Sequence, residues 1–314
     1  MKRPLLILTG PTAAGKTALS IQAAKAFDGE IIRAASRQVY KGMDIGSAKI
    51  RRDEMDGVPH HLIDVLEPEE PFHVVKFQEL ARAAMEEIYE RGHLPIITGG
   101  TGFYIQALLY DIDFTENDAD PAYRETLERL AMERGAAYLH GLLKERDPKA
   151  AQEIHENNVK RVIRALEFYE KTGTPISVHN AAQREKESPY RFAYVVLNRN
   201  REELYRRIDR RVDQMMEAGL LEEVDTLRKR GYDRSYVSMQ GLGYKALLAY
   251  LDGECTLEEA VYILKRDTRH FAKRQLTWFK RERDTDWLSL DQKTDEEALA
   301  DLTEILRRRG VISI

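Results

Sequence analysis

The stretch Gly10-Pro11-Thr12-Ala13-Ala14-Gly15-Lys16-Thr17 constrains this chain more than any other. It is a full G-x-x-x-x-G-K-[ST] match, set between the apolar run Leu5-Leu6-Ile7-Leu8-Thr9 and an alanine-rich segment, Thr17 to Phe27. A loop of this type works only between a strand and a helix. Its glycines let backbone N–H groups turn inward on phosphate oxygens, and the helix N-terminus adds the positive end of its dipole. Lys16 supplies a point charge, and the Thr17 hydroxyl suits Mg²⁺. Ile31-Ile32 and Leu94-Pro95-Ile96-Ile97 predict further short buried strands, separated by a helix over Val74 to Glu90 that Gly92 can cap. Strands alternating with helices predict a parallel α/β sheet. The strand at Ile96-Ile97 runs into Thr98-Gly99-Gly100-Thr101-Gly102, which has a hydroxyl but no carboxylate. Asp64 is either a substitute magnesium ligand or a turn residue. The loop therefore predicts diphosphate binding without nucleotide hydrolysis.

Beyond Asp111 the texture changes. Asp120-Pro121 and Asp147-Pro148 each pair an N-cap with proline at the first helical position, Asn157-Asn158 caps a further helix, and Gly135 and Gly173 suit C-terminal caps. Ser177 to Pro189 reads as a loop, followed by the apolar run Phe192 to Leu197. These signals predict an all-helical insertion over 117–189 within a core formed by 1–116 and 190–314. Leu204, Ile208, Val212 and Met215 mark another helix, and Thr256-x-x-Glu259 is a capping box opening a long helix to about Arg283.

With 49 Lys and Arg against 53 Asp and Glu, the 314 residues carry a net charge of −4, so any nucleic-acid site must be a local basic patch. The single cysteine excludes an internal disulfide framework, no apolar run is long enough to cross a bilayer, and Leu5 to Leu8 is too short for a signal peptide. A cytoplasmic protein is expected. The basic patch is visible from Lys265 to Arg283, where eight basic residues face two acidic ones and Phe271, Trp278 and Phe279 are interleaved. Such a stretch suits RNA phosphates and bases, although Trp278 could equally be core. Asp284, Asp286 and Asp291 read as a solvated acidic tail, the histidines as structural or solvent-facing, and Glu222-Glu223 as helix surface.

Further segments complete a pattern. Ser36-Arg37-Gln38-Val39-Tyr40-Lys41-Gly42-Met43-Asp44-Ile45-Gly46-Ser47-Ala48-Lys49 and Gly99-Gly100-Thr101-Gly102-Phe103-Tyr104 follow the phosphate loop. Lys160-Arg161-Val162-Ile163-Arg164-Ala165-Leu166-Glu167, Gln240-Gly241-Leu242-Gly243-Tyr244-Lys245 and Lys273-Arg274-Gln275-Leu276-Thr277-Trp278-Phe279 come after them. In this order, from Leu5 to about Trp287, the segments closely resemble the bacterial tRNA isopentenyltransferase (dimethylallyltransferase) family. The resemblance implies a P-loop NTPase-like core with a helical insertion, dimethylallyl diphosphate as donor, Mg²⁺, and the tRNA anticodon stem-loop as partner. A monomer is expected. It places Thr101 at the reaction centre and makes Arg164, with the phosphate loop, a diphosphate ligand. Contacts to tRNA are implied for Ser36, Arg37, Gln38, Arg124, Lys160, Arg161, Gln240, Gly241, Gly243, Tyr244, Lys245, Lys273, Arg274, Gln275 and Trp278.

The chain departs from the family at two places. Where the family carries a general-base Asp, immediately before Ser36, it has Ala35, and two residues earlier it has Arg33 in place of a small residue. Loss of a general base implies turnover slower by roughly 10²–10⁴-fold. Two other readings stay open, a small-molecule P-loop kinase and a non-catalytic RNA-binding relative.

Overall fold

The computed structural model describes residues 2–114 and 120–313, apart from the side chain of Arg184. The expected domain boundary at 116–117 lies outside the described residues. Two units separate, Met1–Leu109 with Pro189–Ile314, and Tyr110–Ser188.

The first unit is built on six parallel strands: β1 (Arg3–Thr9), β2 (Gly29–Ala34), β3 (His60–His61), β4 (Leu94–Gly99), β5 (Tyr190–Asn198) and β6 (Thr285–Ser289). Their order across the sheet is β3-β2-β4-β1-β5-β6. Leu5 to Leu8 have no exposed surface, as expected of a central strand with both faces covered. Leu6 pairs with Ile96 on one side and Ala193 on the other, so β1 delivers the phosphate loop at the C-terminal edge, beside the loop that follows β4. Ligands of open α/β sheets bind at this edge.

The helices of this unit are α1 (Lys16–Ala26), α2 (Val74–Glu90), α3 (Gly102–Leu109), and, after an excursion into the second unit, α9 (Arg201–Glu217), α10 (Leu220–Lys229), α11 (Leu242–Leu251), α12 (Leu257–Phe279) and α13 (Asp295–Arg308). Leu19, Ala23 and Ala24 of α1 pack with Leu6, Leu8 and Ile31 of the sheet and with Leu302 and Leu306 of α13. Thr256 and Glu259 form the expected capping box of α12. The second unit consists of α4 (Pro121–Arg134), α5 (Ala136–Arg146), α6 (Pro148–Glu153), α7 (Val159–Thr172) and α8 (Ile176–Glu185), closed over Leu127, Leu139, Leu143, Val162 and Leu166. Among the described residues no helix is long and apolar enough to cross a membrane.

Several local expectations fail for identifiable reasons. The segment read as a loop from Ser177 is mostly α8. Its start is held by buried Asp147, whose carboxylate accepts the Ser177 N–H (2.9 Å) and hydroxyl (2.6 Å) as well as the Ala150 N–H (2.9 Å). Asn158 occupies the N-cap position of α7 but its side chain caps nothing. The acidic stretch after residue 283 is not a tail: it contains edge strand β6, where Asp286 accepts from Arg308 and from Arg309 (2.7 Å) of α13. Asp64, open to both readings in the sequence, has the positive φ (54) of a turn residue and pairs with Lys49 at 2.5 Å.

Candidate active site

The phosphate loop takes the backbone that its function requires. Gly10 (φ 144), Ala13 (φ 64) and Gly15 (φ 112) all have positive φ, and a Cβ at Gly10 would lie 2.5 Å from the Leu197 carbonyl oxygen. Ala13 packs with Leu204 and Ile208 of α9 and Ala272 of α12, which fixes the loop from outside. At the start of α1 the first-turn amides, including those of Lys16 and Thr17, have no intrahelical acceptor.

Cations surround this cradle. Lys16 Nζ donates to the carbonyls of Gly10 (3.0 Å) and Pro11 (2.7 Å). The side chain keeps some exposed surface, yet its ammonium lies deep. Burial first, then the charges of Arg211 and Arg33, hold it down to about 7. Arg199 Nε donates to the Ala14 carbonyl and Arg207 Nε to that of Ala13, both at 2.9 Å. Arg211, one turn beyond Arg207 on α9, is depressed by its own burial and then by Arg207. Arg33, at the end of β2, is 5% exposed. Sequence reading missed Arg199, Arg207 and Arg211. Their signal is the four-residue spacing of Arg207 and Arg211 beside the apolar stripe Leu204, Ile208 and Val212.

The loop after β4 is tied to the cradle by one side chain. Gln275 of α12, 6% exposed, accepts from the Thr12 N–H (2.9 Å) and donates to the Gly100 carbonyl (3.0 Å). The glycines of this loop are needed for close approach. A Cβ at Gly99 would lie 2.0 Å from the Ala34 oxygen, at Gly100 2.1 Å from Gln275 Nε2, and at Gly102 2.2 Å from Trp278. Thr101 donates its N–H to the Ala34 carbonyl (3.3 Å), which brings it beside Ala35, and its carbonyl accepts the Tyr104 and Ile105 amides that open α3. Among the described residues its hydroxyl has no partner. Ala35 is half-buried and has neither acid nor hydrogen-bonding capacity.

The 36–49 and 240–245 segments also meet. Glu223 of α10, read from sequence as helix surface, instead accepts the N–H groups of Asp44 (2.9 Å), Ile45 (2.7 Å) and Gly46 (3.0 Å) together with the Tyr244 hydroxyl (2.7 Å). Tyr244 is fully buried against Gly46, and Gly243 is buried beside it. Gln38 is also buried, bonded to Arg33 and to the carbonyls of Ser47 (3.1 Å) and Ala48 (2.9 Å). Three residues expected at tRNA (Gln38, Tyr244 and Gln275) thus make these side-chain hydrogen bonds within the protein. Ser36, Arg37 and Gly241 are half-buried, while Gln240 and Lys245 are exposed.

On α12 the basic stretch divides. Lys265 pairs with Asp213 (2.5 Å), Arg266 with Asp267 (2.9 Å) and Arg269 with Asp209 (2.6 Å). Lys273, Arg274 and Arg281 have no carboxylate partner among the described residues. With His270, Thr277 and Trp278 they line an open pocket of about 420 Å³. Trp278 is half-buried, packed on Gly102 and edge-on to Phe103 at 6.2 Å. In the helical unit, Lys160 and Arg161 of α7 are exposed and Arg164 is half-buried, whereas Arg124 is forked onto Glu167 at 2.7 and 2.8 Å.

These motifs place the chain among known proteins. The family model described as IPP transferase matches residues 38–282. The chain belongs to the IPP transferase family. It is 61% identical over 311 residues to the tRNA dimethylallyltransferase of Lachnoclostridium phytofermentans, covering 99% of each chain. Its structure is similar to the tRNA isopentenylpyrophosphate transferase of Bacillus halodurans (TM-score 0.75, 45% identity, 98% of each chain). It is also similar to a eukaryotic dimethylallyltransferase acting on tRNA (TM-score 0.83, 29% identity), covering 98% of this chain and 80% of that one.

Proposed function

We propose that this chain transfers a dimethylallyl group from dimethylallyl diphosphate to the exocyclic amine of the adenosine 3′ of the anticodon in tRNA. The amine nitrogen forms a bond to the first prenyl carbon as the carbon–oxygen bond breaks, diphosphate departs, and the nitrogen loses a proton. The observation that carries the reading is the pair of hydrogen bonds made by Gln275, one accepted from Thr12 and one donated to Gly100, which joins the phosphate cradle to the Gly100-Thr101 loop. Leaving-group cradle and acceptor-side hydroxyl thus stand on one support. Lys16, the loop amides and Arg211 stabilise the charge that develops on the diphosphate, and Thr101 stands where the adenosine amine would arrive. A stacked anticodon base is unreachable, so it must be extruded, and the pocket of Lys273, Arg274 and Trp278 suits the RNA that presents it. Arg164, Lys160 and Arg161 add further anion contacts in this reading. The enzyme works as a cytoplasmic monomer with the helical residues near 117–189 as an insertion.

Among the described residues no group of three or more Asp, Glu, His or Cys side chains is placed to hold a metal ion. The Thr17 hydroxyl, which makes no hydrogen bond among the described residues, is the donor the chain would offer Mg²⁺. One hydroxyl completed by phosphate oxygens and water is acceptable to this ion. Bound there, Mg²⁺ would neutralise charge on the diphosphate. At Ala35 no carboxylate can take the amine's proton, so turnover is slow while binding is intact. Calorimetry tests the cradle: Lys16→Ala should weaken dimethylallyl diphosphate binding far more than tRNA binding, and equal donor affinity in both proteins would contradict it.

A further inference from the structure

The surroundings of Arg33 are not those of an ordinary structural arginine. It lies on the same face of β2 as Ile31, which packs with Leu19 and Ala23 of α1. Its guanidinium is close enough to Lys16 and Arg211 for their charges to repel. Nε donates to Gln38 Oε1 at 3.0 Å, while NH1 is buried without any hydrogen-bond partner. No carboxylate pairs with it among the described residues. Burial, then the like charge of Arg211, pushes this arginine down to about 10, and it in turn repels Lys16. A buried guanidinium left with a free N–H and only cations for charged neighbours destabilises the protein unless an anion joins it.

We infer that Arg33 is a further ligand of the diphosphate in this chain, donating from NH1 beside Lys16 and Arg211. The inference rests on the cradle reading given above. It makes the leaving-group site richer in positive charge than the phosphate loop alone. Gln38 is the positioning residue, because its side-chain amide holds Nε of Arg33 while donating to the Ser47 and Ala48 carbonyls.

The test is calorimetric titration of inorganic diphosphate, with Mg²⁺, into the full chain and into Arg33→Met, Arg33→Lys and Lys16→Ala, at several salt concentrations. Charge-assisted hydrogen bonds of this kind predict that Arg33→Met binds about 10- to 100-fold more weakly, with a flatter salt dependence. Arg33→Lys, which keeps the charge, retains the wild-type salt slope and keeps the test open if the methionine variant does not fold. Unchanged affinity in Arg33→Met, or weaker affinity with the wild-type salt slope, overturns the inference. If Lys16→Ala loses affinity while Arg33→Met does not, the cradle stands and Arg33 alone is excluded. If neither loses affinity, the cradle reading falls as well.

Discussion

Replacing Gln275 by Ala isolates the joint on which the proposed site depends. In the wild type its two amide atoms serve a part-buried donor, the Thr12 N–H at 2.9 Å, and a part-buried acceptor, the Gly100 carbonyl at 3.0 Å. Alanine leaves both backbone groups without their protein partner, each at up to roughly 1–3 kcal/mol. With the lost packing of a side chain that is 6% exposed, a total of about 2–5 kcal/mol is expected. The same loss frees the phosphate loop from the Thr101 loop, and a displacement of about 1 Å between reacting groups can slow a reaction roughly 100-fold. Urea unfolding measures the first effect, and single-turnover prenyl transfer at saturating donor the second. Gln275→Glu makes the argument sharper. It can still accept from Thr12, but it sets an oxygen against the Gly100 carbonyl and a negative charge beside the cradle, so it should do no better than alanine. A Gln275→Ala protein with wild-type urea midpoint and wild-type turnover would refute the reasoning.

Three other outcomes follow from the same structure. Ala35→Asp should raise turnover by up to the roughly 10²–10⁴-fold share of a general base, less whatever the nearby Arg33 guanidinium takes from the new carboxylate's basicity. An unchanged rate would move the proton-accepting role elsewhere. Burial alone would raise Glu30, but hydrogen bonds from Arg91, His61 and His93 outweigh it and hold it down to about 2. Its stabilisation, about 3 kcal/mol by linkage, is therefore present above pH 4.5 and lost as pH falls through that value toward 2. Glu30→Gln should flatten the acid limb of a stability-versus-pH curve, and an unaltered limb would contradict this. Lys273→Ala with Arg274→Ala should weaken tRNA binding across sequences and lower the salt slope by about 0.7–0.9 per lost phosphate contact; an unchanged slope would mean that this face of α12 does not meet RNA.

What could be read from the sequence was local. The phosphate loop carries its own spacing, and the apolar runs at Leu5 to Leu8 and Phe192 to Leu197 mark strands whose burial needs no knowledge of their neighbours. Caps at Asp120, Asp147 and Thr256 lie next to the helices they start. What escaped depends on partners distant in sequence. Helix α8 is started by a carboxylate 30 positions earlier, at Asp147. Glu223 resembles any surface acid until the amides of Asp44 to Gly46, 177 to 179 positions away, converge on it. Arg207 and Arg211 look like ordinary helix charges, and Arg199 like a loop charge, until the start of α9 is laid beside the phosphate loop. Gln275 and Tyr244 belong to legible motifs, but whether such residues face a ligand or the interior is decided by packing.

Transfer itself is the most direct test of the central claim. An anticodon stem-loop RNA with adenosine 3′ of the anticodon is incubated with the chain, Mg²⁺ and labelled dimethylallyl diphosphate, and label and mass are followed on that base. The account predicts slow but measurable modification of this adenosine, release of one diphosphate per prenyl group, acceleration in Ala35→Asp and loss in Lys16→Ala. Label that never reaches the RNA in the wild type or in Ala35→Asp, while both bind donor and RNA, would contradict it.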